Sequence, residues 1–195
     1  MEAKKFLIAG VDEVGKGCLF GPVFAAAVIL SAENERNLLS QGLKDSKKLS
    51  PRKRNLLVPL IKKNSIAWGI GQASAREIDS IGIREATEKA MLRALEKFRS
   101  PPDLILVDGI LPIRLWLGKQ RTQVRGESHF ASIAAASVIA KEARDELMKR
   151  LASKYSDYEL EKNKGYGTEI HRTKLLKAGA TKLHRKSFLT RLEID

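Results

Sequence analysis

Short apolar runs alternate with amphipathic stretches along the first half of the chain. Residues 6–11 and residues 23–30 are continuous apolar runs, and the segment GKGCLFGP between them contains three glycines. This spacing predicts two buried strands that form a hairpin with a wide loop. Residues 65–72 show an alternating pattern that predicts a third strand.

Two helices are predicted from apolar spacing together with end signals. Residues 51–63 follow Ser50, a favourable N-cap, and begin with Pro51, which is favourable at the first helical position. Residues 83–98 place their apolar side chains on one face, and the pair Pro101-Pro102 stops the helix.

The second half of the chain predicts two more strands and two more helices, at residues 104–107, 120–124, 129–152 and 168–178. Ser128 is the expected N-cap of the long, alanine-rich third helix. The order of elements predicts an α/β fold in which helices cover both faces of a mixed sheet. Since the chain becomes basic and less regular after Tyr155, we divide it into a core at residues 1–152 and a helical extension at residues 153–195 packed on the same domain.

The composition indicates a partner with many negative charges. Lysine and arginine outnumber the acidic residues by 36 to 23 in 195 residues, which gives a net charge of +13. Such an excess favours nucleic acid as the partner. A generally lysine-rich surface, as in thermophilic proteins, is the alternative explanation.

The single cysteine and the short apolar runs bear on the compartment. Cys18 excludes an internal disulfide and agrees with a reducing environment. The longest apolar runs, residues 23–30 and 133–140, are too short to span a bilayer. We therefore expect a cytoplasmic protein with no membrane partner.

Asp12 and Asp108 share a sequence context. Each follows an apolar strand and precedes a glycine-containing turn. If the two strands are neighbours, the carboxylates converge at one edge of the sheet and require a cation between them, for which Mg²⁺ and Mn²⁺ suit oxygen ligands. Taken singly, Asp108 is equally well a turn residue and Asp12 a capping residue.

Two glutamates are further candidates for the same site. Glu13 faces the opposite side of a straight strand, so it joins Asp12 only if the chain bends near Gly15 and Gly17. Glu127 is the only carboxylate between Gly109 and Lys141. Its alternative role is that of a favourable acid before a helix.

Basic residues are clustered along the chain. Residues 44–63 contain eight basic side chains against Asp45 alone, and the segments 114–125 and 162–186 add further groups. A charge run is often only a solvated surface, but several runs around carboxylates indicate a groove for a phosphate backbone. The combination matches two-metal phosphodiester hydrolysis, in which the ions lie roughly 3.5–4 Å apart.

Six motifs in order make the sequence resemble ribonuclease HII, the type 2 ribonuclease H. They are AGVDEVGKGCLFGPVFAAAVIL, GLKDSKKLS, LVDG, SIAAASVIAKEARD, NKGYGTEIH and HRKSF, and they cover almost the whole chain. The resemblance implies an RNase H-like fold in which residues 1–152 form the catalytic core and residues 153–195 help to bind substrate. It also implies cleavage of RNA in RNA–DNA hybrids, incision 5′ of single ribonucleotides in duplex DNA during replication and repair, and products with 3′-hydroxyl and 5′-phosphate ends.

The resemblance assigns site residues by position. Asp12, Glu13 and Asp108 match the metal carboxylates of the family, with Mn²⁺ or Mg²⁺ as cofactor, and a monomer is expected. Glu127 stands where the family usually has an aspartate, and we keep it in the catalytic and metal site because the ligand atom type is the same. The resemblance also assigns Gly15, Lys16, Gly17 and Tyr166 to substrate binding. We place Lys47 on a phosphate, with Lys48, Lys141 and Arg144 as further substrate-binding candidates. Lys141 and Arg144 lie one turn apart on the predicted long helix, so they are equally well residues of a solvated helix face.

Two of these substrate positions have specific implied roles. The loop Gly15-Lys16-Gly17, which has arginine at its centre in the family pattern, reads the ribose 2′-hydroxyl mainly through its backbone. Tyr166 stacks on the deoxyribose that follows the ribonucleotide. Two other functions stay open at this point: a junction resolvase on the same fold, and a non-catalytic RNA-binding protein, which would not need Asp12, Glu13 and Asp108.

Overall fold

The computed structural model describes residues 6–190 of the chain. Across that range, five strands form one mixed sheet in the order β3-β2-β1-β4-β5. The strands are β1 (Ile8–Val14), β2 (Val23–Leu30), β3 (Ser65–Ala73), β4 (Leu104–Asp108) and β5 (Gln120–Gln123). Neighbours β1–β2 and β2–β3 are antiparallel, and β1–β4 and β4–β5 are parallel. The predicted α/β class and hairpin are confirmed.

Helices cover both faces of this sheet. In the described range they are α1 (Ala32–Ser40), α2 (Pro51–Asn64), α3 (Ala75–Ile81), α4 (Ile83–Leu95), α5 (Ala131–Ala152), α6 (Leu160–Asn163), α7 (Glu169–Ala178) and α8 (Lys186–Leu189). Ser50 caps α2 as predicted, since its hydroxyl accepts the Lys53 amide N–H at 3.3 Å. None of these helices is long and apolar enough to cross a membrane.

Two apolar cores lie on opposite faces of the sheet. One joins alternate residues of β1, such as Ala9 and Val11, to α4. The other joins β2 to α2 and α5. Gly10 lets α5 lie directly on β1, because a Cβ there would be 2.3 Å from the backbone of Ser132. Even-numbered positions of β1 therefore face α5, and odd-numbered positions face α4.

A third core ties the C-terminal part of the chain to the loop between β1 and β2. Phe20 is fully buried, and its ring lies 4.9 Å from the ring of His184 and 5.4 Å from that of Tyr155. Leu160 and Leu175 complete this apolar cluster. The wide loop is thus an ordered part of the structure, held by residues distant in sequence.

Several predicted boundaries are wrong. β1 continues to Val14, because its pairing with β2 includes Glu13 opposite Ala25 and Val14 opposite Phe24. The helix predicted over residues 83–98 ends at Leu95, and the two helices α1 and α3 were not predicted. The strand pairing extends through polar residues because backbone hydrogen bonds, which local hydrophobicity does not encode, determine its length.

The start of the long helix also differs from the prediction. Ser128 lies in a 3₁₀ turn, Gly126–Ser128, and α5 begins only at Ala131. Phe130 occupies the N-cap position and provides no side-chain hydrogen bond. The turn separates Glu127 from α5, so Glu127 is not a residue of the first helical turn.

Candidate active site

Asp12 and Asp108 lie side by side at one edge of the sheet. β1 and β4 are parallel neighbours, and Val11 pairs with Val107 immediately before the two aspartates. The condition on which the predicted convergence depended is therefore met. Gly126, in the turn before α5, donates its amide N–H to Asp108 Oδ1 at 2.8 Å and holds this carboxylate in place.

The Asp12 carboxyl is 6% exposed and faces α5. It accepts the Glu13 amide N–H at 2.7 Å, and the neighbouring Ser137 hydroxyl favours its charged form. Burial raises the pKa of Asp12 to about 8, and the negative charges of Glu13 and Asp108 add to the rise. The carboxylates are crowded enough that a proton or a cation must offset their repulsion.

Glu13 is directed to the opposite face of the sheet from Asp12. The expected bend is absent, since β1 keeps its register with β2 through Val14. The Glu13 side chain lines a cavity of about 240 Å³ between the end of β4 and α4, together with Lys16 and Asp108. Lys16 Nζ lies 2.9 Å from Glu13 Oε1. Asp108 therefore lies beside Asp12 and also lines the cavity that contains Glu13.

Glu127 approaches the site from the turn before α5. Its Oε2 atom is buried and has no hydrogen-bond partner in the part of the chain that the structure describes. Burial raises the pKa of Glu127, and the charge of Asp108 raises it further. An unpaired buried carboxylate oxygen beside a second carboxylate is an arrangement that favours a cation.

The carboxylates fit an open site for a divalent cation. Within residues 6–190, no three His, Cys, Asp or Glu side chains are grouped so as to hold an ion by themselves. Mg²⁺ is usually held by one or two carboxylates, with waters and substrate phosphates as the other ligands, and does not need a closed protein cage. The crowding at Asp12 and the unpaired Glu127 oxygen agree with such a site.

The loop after β1 presents an exposed backbone beside the carboxylates. Gly15 has φ +88°, and a Cβ there would lie 2.3 Å from Arg144 Nε, so glycine is required for both reasons. Gly17 is exposed, with no atom within 4 Å of the position of a Cβ. The amides of Lys16 and Gly17 donate to no acceptor within residues 6–190.

The expected phosphate contact from Arg144 is wrong in this structure. Arg144 is 0% exposed, and its guanidinium donates to the carbonyls of Pro22, Phe20 and Lys164 at 3.2, 3.1 and 2.7 Å. It therefore supports the loop from within the protein. Its position one turn after Lys141 on the predicted long helix favoured an exposed helix face. In the structure, the C-terminal part of the chain covers that face.

The three lysines expected to contact phosphate differ in whether their ammonium groups already have an ion-pair partner. Lys47 and Lys48 are exposed in the 3₁₀ turn Ser46–Lys48. Ser46 Oγ lies 2.9 Å from Ser137 Oγ, which links this turn to Asp12. Lys141 forms an ion pair with Asp145 at 2.8 Å, so its ammonium is already partnered.

Tyr166 lies beside the loop. It forms an antiparallel bridge with Cys18, and its side chain is 38% exposed. The Arg144 guanidinium is 5.7 Å from the centre of its ring. An aromatic ring that is exposed on one side and supported on the other can stack on a sugar or base.

The two histidines of the C-terminal part are buried together, away from the carboxylates. His171 Nε2 lies 3.3 Å from His184 Nε2, and His171 Nδ1 lies 2.9 Å from the Tyr166 carbonyl. Burial lowers the pKa of His171 and lowers that of His184 to about 4. Both belong to the packing of this region, and the low pKa of His184 keeps its ring neutral near pH 7.

Ser137 and Arg185 were missed as parts of the site. Ser137 contacts Asp12, and Arg185 is fully buried against the loop at Gly15 and Lys16. Both lie within recognised motifs, in SIAAASVIAKEARD and in HRKSF. Their position within these motifs was the sign in the sequence that they belong to the site. Only the tertiary structure shows which groups they contact.

The chain is similar throughout its length to known proteins. A family model described as ribonuclease HII matches residues 9–191. A ribonuclease HII of Prochlorococcus marinus strain NATL1A is 84% identical over 195 residues, and the match covers 100% of both chains. That of strain MIT 9313 is 63% identical over 185 residues, covering 95% of this chain and 85% of the other.

Solved structures have the same fold. The ribonuclease HII of Archaeoglobus fulgidus, determined in complex with PCNA, is 27% identical, with TM-score 0.77 and coverage of 93% and 94% of the two chains. Ribonuclease H2 of Pyrococcus horikoshii OT3 is 24% identical, with TM-score 0.81 and 97% of each chain covered. Bst RNase HIII in complex with Mn²⁺ is 18% identical, with TM-score 0.74 over 94% of this chain and 64% of the other.

The last two structures establish the fold, and the family model and the close relatives establish the family. The matches extend over the full chain, and the carboxylates at adjoining strand ends and the glycine loop agree with the family that they indicate. This chain belongs to the ribonuclease HII family, metal-dependent ribonucleases that cleave the RNA of RNA–DNA hybrids.

Proposed function

We propose that this enzyme, besides acting on hybrids, incises duplex DNA 5′ of a single embedded ribonucleotide and leaves 3′-hydroxyl and 5′-phosphate ends. One observation carries the proposal. Asp12 lies three residues before Gly15, and the exposed amides of Lys16 and Gly17 follow in the same loop. A group that reads one sugar therefore lies beside the carboxylates that act on the adjoining phosphate.

The proposed metal ligands are Asp12, Asp108 and Glu127, with Mn²⁺ or Mg²⁺ as the ions. We keep Glu13 as a fourth proposed ligand although it lies on the face opposite Asp12, because it lines the same cavity as Asp108. Bound ions of this kind activate water and neutralise charge that develops on the phosphate, as in two-metal hydrolysis. Asp12 and Asp108 present oxygens from adjacent strand ends, and Ser137 and the Gly126 amide orient them.

Discrimination between ribose and deoxyribose is assigned to the loop backbone. A 2′-hydroxyl both donates and accepts hydrogen bonds, so unpaired amides can distinguish it from the hydrogen of deoxyribose. Gly17 leaves open space above the backbone, which allows close approach of the sugar. The Lys16 ammonium forms an ion pair with Glu13. We propose that it moves to a substrate phosphate when the duplex binds.

The other proposed contacts position the duplex. Tyr166 stacks on the deoxyribose that follows the ribonucleotide, while Lys47 and Lys48 hold phosphates. Tyr166 belongs to the proposed substrate-binding extension at residues 153–195. The net charge of +13 agrees with this surface role. We propose that the enzyme acts as a monomer in the cytoplasm.

Cleavage of a defined duplex tests the proposal. The substrate is a DNA duplex with one ribonucleotide, incubated with Mg²⁺ or Mn²⁺ beside an all-DNA duplex of the same sequence and an RNA–DNA hybrid. We expect a single cut on the 5′ side of the ribonucleotide and none in the all-DNA duplex. Cleavage of the hybrid without a cut at the single ribonucleotide with either ion would overturn the proposal. Equal cutting of a branched all-DNA junction would instead favour a resolvase.

A further inference from the structure

Arg185 holds the loop after β1 from inside the protein. It is 0% exposed and lies just before α8. All three guanidinium nitrogens donate to loop carbonyls: Nη2 to Gly15 at 2.8 Å, Nη1 to Lys16 at 2.8 Å and Nε to Gly21 at 2.9 Å. The planar guanidinium thus fits three carbonyls of one loop at once.

The charge of Arg185 is not balanced by an ion pair in the described part of the chain. The nearby carboxylate of Asp79 accepts the amide N–H groups of Lys186 and Ser187 instead, at 3.0 and 2.9 Å. Burial lowers the pKa of Arg185 to about 10. The Arg185 guanidinium also lies 5.2 Å from the centre of the Phe188 ring. A buried cation whose hydrogen-bond acceptors are all carbonyl groups is a costly means of stabilising a fold, which directs attention to the geometry that it imposes.

That geometry follows from the planarity of the peptide group. In a trans peptide the N–H points away from the preceding C=O. The described chain contains no cis peptide. Because Arg185 draws the Gly15 and Lys16 carbonyls inward, the N–H groups of Lys16 and Gly17 point outward. Neither of these two amides has an acceptor in residues 6–190.

The same arginine joins the loop to the element that carries Tyr166. The Arg185 amide donates to the Leu19 carbonyl at 2.8 Å, and the Leu19 amide donates to the Gly165 carbonyl at 2.8 Å. Tyr166, next in sequence, bridges to Cys18. The outward amides and the exposed tyrosine ring are therefore held in one rigid unit.

We infer that Arg185 is a positioning residue for sugar recognition: it fixes the amides of Lys16 and Gly17 in the orientation that meets the ribose 2′-hydroxyl. The inference rests on the proposed function, because it assigns the selectivity of that same loop. Arg185 itself does not contact substrate. Its loss should reduce selectivity for ribose more than overall affinity for the duplex.

Binding selectivity tests this role. Dissociation constants are measured in EDTA, where no cleavage occurs, for a duplex with one ribonucleotide and for the same duplex in all-DNA form. The proteins are wild type, Arg185→Lys, Arg185→Gln and the control Leu175→Ala. Leu175 is buried in the same C-terminal core, and its side chain cannot hydrogen-bond to the loop carbonyls, so its truncation tests whether a loss of stability alone changes selectivity.

We expect wild type to prefer the ribonucleotide duplex and both Arg185 variants to lose about tenfold of that preference, as for one lost hydrogen bond. Affinity for the all-DNA duplex should stay within about twofold, since the surface charges that bind phosphate are unchanged. The Leu175→Ala variant should keep the wild-type preference at temperatures where it is folded.

The outcomes separate the inference from the proposed function. If wild type fails to cut at a single ribonucleotide with Mg²⁺ or Mn²⁺, both are overturned. If wild type cuts but the folded Arg185 variants keep its binding preference, only the role of Arg185 is overturned. Should both variants fail to fold, NMR of wild type decides. The amide signals of Lys16 and Gly17 must then shift with the ribonucleotide duplex and not with the DNA duplex, and equal shifts would contradict the inference.

Discussion

Asp12 and Asp108 occupy equivalent positions on two parallel neighbouring strands, one residue beyond the pair Val11 and Val107. The arrangement brings two carboxylates to one sheet edge without any local sequence contact between them. Burial is the main cause of the rise in the pKa of Asp12 to about 8, the charge of Glu13 is the next, and the neighbouring charge of Asp108 adds a smaller part.

Replacing Asp108 with asparagine should abolish cleavage and leave duplex binding intact. The amide keeps an acceptor for the Gly126 N–H but cannot provide the charge that a divalent cation requires. We expect a fall in kcat/KM of about 1000-fold or more, or about 4 kcal/mol. Single-turnover cleavage and dissociation constants in EDTA measure the two effects. Residual turnover within tenfold of wild type would remove Asp108 from the proposed metal site.

Replacing Asp12 with asparagine should stabilise the protein in the absence of metal. The folded state binds a proton on Asp12 more tightly than the unfolded state, so this residue lowers stability as the pH rises from about 4 to about 8. The variant should gain on the order of 1–3 kcal/mol at pH 7 in EDTA, with a smaller gain at pH 5.

Urea unfolding in EDTA at the two pH values measures this gain. Wild type should also show a rise in melting temperature on addition of Mn²⁺ that the Asp12→Asn variant lacks, since ligand binding to the folded state stabilises it. A variant that is less stable than wild type at pH 7, yet keeps its Mn²⁺ response, would contradict the assignment.

Replacing Glu127 with glutamine tests whether this carboxylate contributes to the site. The change removes its charge at nearly constant size, and we expect a loss of about 10- to 100-fold in kcat/KM, which lessens at higher Mn²⁺ concentration. Glu96→Gln is the matched control, because Glu96 is exposed at the opposite end of α4 from the carboxylates. Equal activity of the two variants would make Glu127 a turn residue only.

Replacing Lys16 with alanine should weaken duplex binding through charge. The side chain is 50% exposed, so loss of its ion pair with Glu13 should change stability by less than about 0.5 kcal/mol. The slope of log affinity against log salt should fall by about 1, as for one lost phosphate contact. Lys97→Ala, beyond the far end of α4, is the control and should keep the wild-type slope. Identical slopes in both variants would show that Lys16 does not reach phosphate.

The buried histidine pair should make the fold sensitive to acid. The pKa of His184 is lowered to about 4 in the folded state, so the unfolded state, with an ordinary value near 6.5, binds protons more readily between those values. Stability is therefore fully present above about pH 6.5 and is lost as the pH falls toward 4. Between pH 7.5 and pH 5 this residue should account for about 2 kcal/mol.

Urea unfolding of wild type and of His184→Asn over that pH range measures the contribution. The variant should be less stable at pH 7.5 but should lose about 2 kcal/mol less on acidification. His171, whose pKa burial also lowers, contributes in the same direction in both proteins. If the free energy of unfolding falls with pH as steeply in the variant as in wild type, His184 does not gain a proton on unfolding.

Local pattern alone predicted much of the scaffold. Residues 23–30 form β2 with the predicted ends, because a continuous apolar run of this length is typical of a strand that is buried on both faces. Ser50 and Pro51 marked the start of α2, since capping depends on neighbours within three residues. The six motifs indicated the family and the acids at the strand ends, because their order and spacing are properties of the chain itself.

Contacts between distant segments decided the rest. Arg144 and Arg185 look like surface cations in the sequence, yet both are 0% exposed because loop carbonyls from residues 15–22 and 164 surround them. Glu13 stays on the face opposite Asp12 because pairing with β2 keeps β1 extended. The sequence by itself determined which residue types surround the site. Only the tertiary structure determined which side chains face substrate and which hold the backbone, because long-range packing and hydrogen bonds set those directions.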